Sequence, residues 1–441
     1  MDYMQKYIPK NTIDGMLLSN FIDIMKKITI LLSTILLLSS LFTACKDENV
    51  DDKPDGAIDA TDYGVCVGNS GEENSRNLQN LINSLTQNGG TIYIPSGEYT
   101  FCENGTQTIG SHCIKMQSNV NIVGEGESTV LKPTGASSYG LDMFYFNDYL
   151  DVNTANYLEN CRFENFTIDA SATSCEVYTS AGKGFMFNLF RNCHWDNVTV
   201  KNTDATGFGV DCPLESTIAD CVAINCGKAA NEQSGGASGF GIGFGYADGE
   251  NIRIENCQAL DNTKFGFFFE HQGRFNANKY AATASHNFTI SNCNAAENLY
   301  NFGGICAMNT IYQNCYSQNS KLYGFYFENS THSKAQACQS KNETQASFVI
   351  SQSHSYNVHH VLYERCNSEN CPYGVKVLGD GTAIMSDNRI HGCSFLSIGI
   401  YNVYTSGTMQ SFTLTENTAE HNFNHLTAQI QRFENTKNSW N

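Results

Sequence analysis

From about residue 116 the chain repeats two short patterns, and neither has helical spacing. The first ends in a cysteine. Cys161, Cys193, Cys221, Cys257, Cys293, Cys315, Cys338, Cys366 and Cys393 each follow a short run of alternating polarity, 22 to 36 residues apart, and most stand directly after Asn or Asp. The second opens on glycine: GFGVD (207–211), GFFFE (266–270), GICAM (304–308), GFYFE (324–328) and GVKVL (374–378). Alternation with period two predicts strands. Repetition at this interval predicts a solenoid whose strands pair with their counterparts one turn away.

Ahead of the repeats the pattern changes. In NSRNLQNLINSLTQNGG (74–90), Leu78, Leu81, Ile82 and Leu85 fall at helical spacing. Asn74 or Ser75 is placed to cap that helix, and Gly89-Gly90 to stop it. The following TIYIPSGEY (91–99) reads as a strand and turn. The expected organisation is an N-terminal cap over 59–115, an all-β solenoid over 116–418, and a C-terminal cap over 419–441.

Parity sorts the glycine-led column. Phe208, Val210, Phe267, Phe269, Phe325, Phe327, Val375 and Val377 share one side, which is the core. Asp211, Phe268, Glu270, Tyr326, Glu328 and Lys376 share the other. A surface that mixes carboxylates with aromatic rings suits sugars, whose ring faces stack and whose hydroxyls hydrogen-bond. Three turns are enlarged, by residues 171–183, 227–238 and 271–286, and such insertions commonly border a binding face. Asp211 and Glu270 occupy equivalent positions two turns apart, so their strands lie roughly 9.6 Å apart at ~4.8 Å per step. That is the upper edge of the ~6.5–9.5 Å separation of an inverting glycosidase pair. Acids at strand ends also simply solvate corners; position beside the enlarged turns is what distinguishes these two. His271 and Arg274 follow Glu270 at the mouth of the third insertion.

Composition narrows the partners. The 441 residues carry a formal charge of −18, which argues against nucleic acid and against an anionic membrane surface. An acidic polymer would need a local basic group, such as Lys183 or Arg253, or a bound cation, for which calcium is the candidate. The cysteine column lacks any CxxC pair and reads as buried thiols filling a core; Cys102 and Cys113, outside it, are the candidate disulfide. At the N-terminus, Met25-Lys26-Lys27 leads into the apolar run 28–42 and then Thr43-Ala44-Cys45. A basic start, a short apolar run and small residues describe an export signal over 25–44, with 1–24 as an early start. FTAC (42–45) resembles a bacterial lipoprotein signal, which implies lipidation at Cys45. The acidic run over 45–58 resembles a tether to the outer face of the outer membrane. A monomer is expected, touching the membrane only through that lipid.

The segment from DATDYG (59–64) through GGTIYIPSGEYTF (89–101) resembles the N-terminal cap of the pectate-lyase-like superfamily. The implied fold is a single-stranded right-handed parallel β-helix with a short N-terminal capping helix. From Asp59 to about Glu270 the chain resembles mannuronan epimerase and polysaccharide lyase modules. GFGVD aligns with their strand leading to Asp-Pro-His, with Asp211 on the aspartate and Lys183 near the active-site lysine. Pro213 stands near their histidine and Phe208 at their tyrosine; His271 is the candidate substitute. NTDA (202–205), ADCVAIN (219–225) and IRIEN (252–256) resemble polygalacturonase-like hydrolases, but Ser238-Gly239 replaces His-Gly and Glu255 replaces lysine. The function expected is a surface-anchored polysaccharide-active protein: a lyase or epimerase on a uronic-acid glycan, an inverting hydrolase using Asp211 and Glu270, or a non-catalytic glycan binder. Lys183, Asp211, Arg253, Glu270 and His271 are the candidate catalytic residues. Phe268, Arg274, Tyr326 and Glu328 are the candidate substrate contacts.

Overall fold

The computed structural model describes residues 53–440 except 108–109, 138–139, 148–155, 177–181, 231–236, 247–248, 273–285, 354–355 and 382. Arg274, Cys45 and the proposed signal and tether up to residue 52 lie outside the described residues. Lys53–Asn441 forms one compact unit. Among the described residues no helix is long and apolar enough to cross a membrane.

The unit is a parallel β-helix. A typical turn contributes one strand to a 14-stranded sheet and a pair of shorter strands to a 25-stranded sheet, whereas Arg162–Asp169 and His194–Lys201 each run as one longer strand in the latter. Through the middle of the first sheet, Phe185–Arg191, Phe208–Leu214, Ser238–Phe244, Phe265–His271, Tyr300–Ile305 and Tyr323–Glu328 follow one another, all parallel. Inside them one column is phenylalanine. Phe208, Phe240, Phe267, Phe302, Phe325 and Phe348 are fully buried, with successive ring centroids 4.7, 4.7, 5.1, 4.6 and 5.2 Å apart. That interval matches the ~4.8 Å between strands, so each ring meets its neighbour face to face without distorting the ladder.

The cysteines form two columns. Cys161 aligns with Cys193 and then with Ser216 in the first strand position of the 25-stranded sheet. Cys221, Cys257, Cys293, Cys315, Cys338, Cys366 and Cys393 align in the second. The interval from Cys193 to Cys221 is therefore not a turn. All nine are buried thiols, and burial pushes those of Cys193, Cys257 and Cys366 well above the usual range. Each is preceded by a residue of positive φ, including Asn160 (57°), Asp220 (52°) and Asn292 (55°). Asn and Asp tolerate that left-handed corner best, which explains why they precede the cysteines so often.

Three expectations need correction. The capping helix runs Gly71–Ser84, with the Ser70 hydroxyl accepting from the Glu73 N–H. Asn74 and Ser75 lie inside it, fully buried; Asn74 binds the backbone of Cys66 and Thr100 instead of capping. Cys102 and Cys113 are not bonded: Cys113 points into the core, whereas Cys102 packs beside Gly71 of the helix. Beyond Ala419 the chain adds another turn, with Gln429–Thr436 pairing in parallel with Thr408–Thr415, in place of a separate cap.

Candidate functional site

On the outward side of the 14-stranded sheet, Asn188, Asp211, Gly243 and Glu270 stand in register on four consecutive turns. The Gly243 N–H donates to Asp211 Oδ1 at 2.6 Å. A Cβ at Gly243 would lie 2.4 Å from that oxygen and 2.8 Å from Gln272 Cγ, so any larger residue would close the gap between the two acids. The Asn188 amide, oriented to donate, reaches Asp211 Oδ2 at 3.2 Å. The space between the acids is a small cleft of about 80 Å³, lined in part by Lys183, Thr206, Phe268 and Gln272.

Lys183 enters over a second glycine. A Cβ at Gly209 would meet Lys183 Cδ at 2.5 Å and Nζ at 3.2 Å; the absence of a side chain there lets the lysine lie flat and carry its charge toward Asp211. Asp142 is its other neighbour. This carboxylate accepts the Lys183 N–H at 2.8 Å and the Gln107 amide at 2.6 Å.

Burial raises Asp211 above the usual carboxylate range, aided by the charge of Glu270 and opposed by Lys183 and the Gly243 N–H. Asp142 is pushed up to about 6 by burial, against Lys183 and its two hydrogen bonds. In register with Asp142 stands His112, stacked on Tyr145 at 4.7 Å and lowered to about 4 by burial and then by Lys115. It is a neutral imidazole.

Toward the C-terminus the same face becomes aromatic. Phe265 stacks on Phe268 (4.1 Å) and Tyr300 (4.8 Å), and Tyr300 on Tyr326 (5.1 Å). Lys376 places its ammonium 4.1 Å from the Tyr373 ring centre. Tyr401, Tyr404 and His425 continue the strip, with Tyr404 and His425 stacked at 5.4 Å.

The structure thus brings together Lys183, Asp211, Glu270 and Phe268 of the sequence candidates. Tyr326 and Glu328 lie two turns beyond Glu270 on the same face, with the Tyr326 hydroxyl donating to Glu328 at 2.7 Å and Ser353 to its other oxygen at 2.6 Å. Two candidates do not line the cleft. Period two turns His271 to the opposite side from Glu270, where its ring packs 5.1 Å from Phe244 and 6.4 Å from His286. Arg253 belongs to Asn251–Glu255 of the other sheet, exposed and 3.7 Å from Glu255. The NTD of 202–204 is structural: Asn202 takes a left-handed corner, and buried Asp204 pairs with Lys228 at 3.3 Å. Asp142, Asn188 and His112 went unread in the sequence. His112 and Asp142 lie on GSHCIK and LDMFYFN, which lack the opening GF or GV of the later strands; Asn188 lies on FMFNLFR, which does follow Gly184 but carries an amide where the later strands carry an acid.

The sequence profile of the family described as rhamnogalacturonase A/epimerase, pectate lyase-like, matches residues 57–318, more than half of the chain. The chain belongs to that family. The match runs from the N-terminal cap through the carboxylate turns and the first aromatic ones. A search of curated proteins returns no significant match. Among solved structures, the rhamnogalacturonase A/epimerase-family chain is similar to the Agl-KA catalytic domain, with 14% identity over 88% of this chain and 68% of that one and a TM-score of 0.57. It is similar to the tailspike protein of Escherichia coli bacteriophage HK620 in complex with pentasaccharide, with 14% identity, 87% and 66% coverage and a TM-score of 0.54. The A-module of the Azotobacter vinelandii mannuronan C-5 epimerase AlgE4 aligns at 17% identity over 87% of this chain and 99% of the module, with a TM-score of 0.48. For the first two, at these identities, the likeness is one of fold.

Proposed function

We propose that this family member cleaves a polysaccharide at the cleft between Asp211 and Glu270, by hydrolysis with inversion. The observation that carries this reading is the in-register Asp211–Gly243–Glu270 arrangement, in which a glycine keeps the space between two carboxylates open. Inverting hydrolysis needs one carboxyl protonated beside the leaving oxygen and one ionised to activate water, far enough apart to admit it. Asp211, raised by burial, is the acid. Glu270 is the base. Its strand is two steps of ~4.8 Å away, at the upper edge of the ~6.5–9.5 Å separation of such pairs, and the Gly243 N–H on the turn between them holds Asp211 by Oδ1. Lys183 orients Asp211 and limits its rise. The aromatic strip supplies stacking platforms for further sugar units along the sheet.

A lyase or epimerase reading has one observation in its favour, the Lys183 ammonium at the cleft. There it would neutralise the uronate carboxylate so that carbon 5 can lose its proton. Among the described residues three carboxyl groups, Asp142, Asp211 and Glu270, stand about Lys183, and a cleft lined in this way favours hydrolysis of a glycan with few carboxylates at the scissile unit. The two are separated by incubating the protein with uronate-rich and neutral polysaccharides, following reducing ends and ultraviolet absorbance together. New reducing ends without the absorbance of a double bond support hydrolysis. New absorbance, or altered uronate stereochemistry without cleavage, overturns it. The segment FTAC (42–45) supports display at the cell surface through a lipid on Cys45; palmitate labelling that persists in Cys45→Ser would overturn that part.

A further inference from the structure

One cluster of imidazoles lies outside the cleft, at the corner leading from the 14-stranded into the 25-stranded sheet. Asn119, Asn160, Asn192, Glu215, Asn251, Asn287 and Asn309 occupy one column there, with the Asn192 amide donating to Asn160 at 2.8 Å and Asn160 to Asn119 at 2.9 Å. In the next turns the same column holds His332, His360 and then Asp387. The backbone is left-handed at these turns, with φ of 50° at Asn309, 49° at His332, 56° at His360 and 55° at Asp387. The corner accepts asparagine, aspartate and histidine alike, so the turn by itself does not call for three imidazoles at one place.

The third histidine is His359, whose carbonyl accepts the His332 N–H at 3.0 Å. The rings of His332 and His360 are stacked at 4.7 Å, and His359 stands edge-on to both, at 4.9 and 5.2 Å. One nitrogen from each of the three rings lies within 4.8 Å of the others. His359 Nδ1 and His360 Nδ1 are 3.0 Å apart. Two imidazole nitrogens on a tetrahedral ion, each at ~2.0–2.1 Å, are separated by about 3.4 Å, so a small movement of exposed side chains suffices. A hollow of about 380 Å³ beside them, lined by His360, Leu362, Asp387, Arg389 and Thr413, leaves room for a fourth ligand from water or the Asp387 carboxylate.

We propose that His332, His359 and His360 form a binding site for one divalent transition-metal ion of the zinc, nickel or copper class. Soft-to-borderline ions prefer imidazole, whereas calcium and magnesium prefer oxygen. Because the ligands come from two successive turns, the ion would clamp those turns together and stabilise the C-terminal half of the solenoid. The site is separate from the acid pair and does not depend on the hydrolytic reading.

The test uses ZnCl₂ titrated calorimetrically into the protein at pH 7.5, with CaCl₂ as the contrasting ion. The paired variant is His332→Asn/His360→Asn, which installs the residue found at most earlier positions of the column and keeps its tolerance of positive φ. Saturable binding of one zinc per chain, weakened at least ~10-fold in the variant, together with a zinc-dependent rise in melting temperature of ~3 °C or more in the parent only, is expected. Circular dichroism of the variant checks that it folds. No saturable zinc binding by the parent, equal binding by the folded variant, or calcium binding as tight as zinc would each overturn the proposal.

Discussion

The outward face of the 14-stranded sheet has two halves built on the same ladder but with opposite chemistry. Between Asp142 and Glu270 it carries small and charged residues: Gly209 is followed by Gly241 in one column and Asp211 by Gly243 in the next, among Lys183 and the acids. From Phe265 to His425 rings recur on this face, at Phe268, Tyr300, Tyr326, Tyr373 and Tyr404, with Gly303, Val349 and Lys376 between them. The step between them is abrupt, since Gly241 aligns with Phe268 and Ser238 with Phe265. Glycine lowers the floor so that polar side chains from adjoining columns can converge, as Lys183 does over Gly209. Rings raise the floor and leave a flat apolar surface. One half is suited to altering a bond, the other to holding a chain. Lys264 joins them, half-buried over Phe265; burial pulls its ammonium below the usual lysine range, against the charges of Glu270 and Glu328.

The largest test of this division lies in the acids. Asp211→Asn and Glu270→Gln should each lower kcat by ~10²–10⁴-fold, as loss of a general acid or base does, with little change in glycan affinity. Turnover unchanged in both would remove the cleft as the reactive half. Gly243→Ala should reduce activity at least ~10-fold and stability by about 1–3 kcal/mol through overpacking, measured by initial rates and urea unfolding. Parent-like rates would show that the gap between the acids is not used.

Tyr326→Ala addresses the other half. Loss of one stacking platform should raise KM for a long substrate by ~3–10-fold with kcat preserved, from the ~0.5–1.5 kcal/mol of an aromatic contact; a fall in kcat alone would contradict the division of labour.

The smallest effect concerns Asp142. Its folded value, about 6, lies above the ordinary 3.8, so its protonated form is the one the fold favours. That contribution is present below about 4 and is lost as pH rises through about 6. Asp142→Asn should flatten the stability–pH profile in that window by up to ~3 kcal/mol, read from unfolding midpoints. An identical slope in parent and variant would show that Asp142 is not held in this way.

Period-two alternation and the recurring cysteines were enough to read the solenoid, the core phenylalanines and the outward placement of Asp211, Glu270, Phe268 and Tyr326, because strand parity is local. Parity also contained the error over His271: one residue beyond an outward glutamate, it faces the core. Arg253 was misplaced because a short strand does not state which of two sheets it joins. The two cysteine columns were read as one for a similar reason, since counting along the chain does not distinguish the first strand of a turn from the second.

Only the stacked turns decided which residues meet. Asp142 and Asp211 are 69 positions apart, yet Lys183 lies against both because register places its turn between theirs. Gly243 has no chemistry in sequence; in the structure its missing side chain opens the cleft. His332 and His360 look like ordinary surface residues until the corner column shows asparagine in the turns before them. Hydrophobic periodicity acts within a few residues and specifies the strand, its inward side and the repeat. Contacts between turns depend on how each loop closes the circuit, and only the folded solenoid settles them.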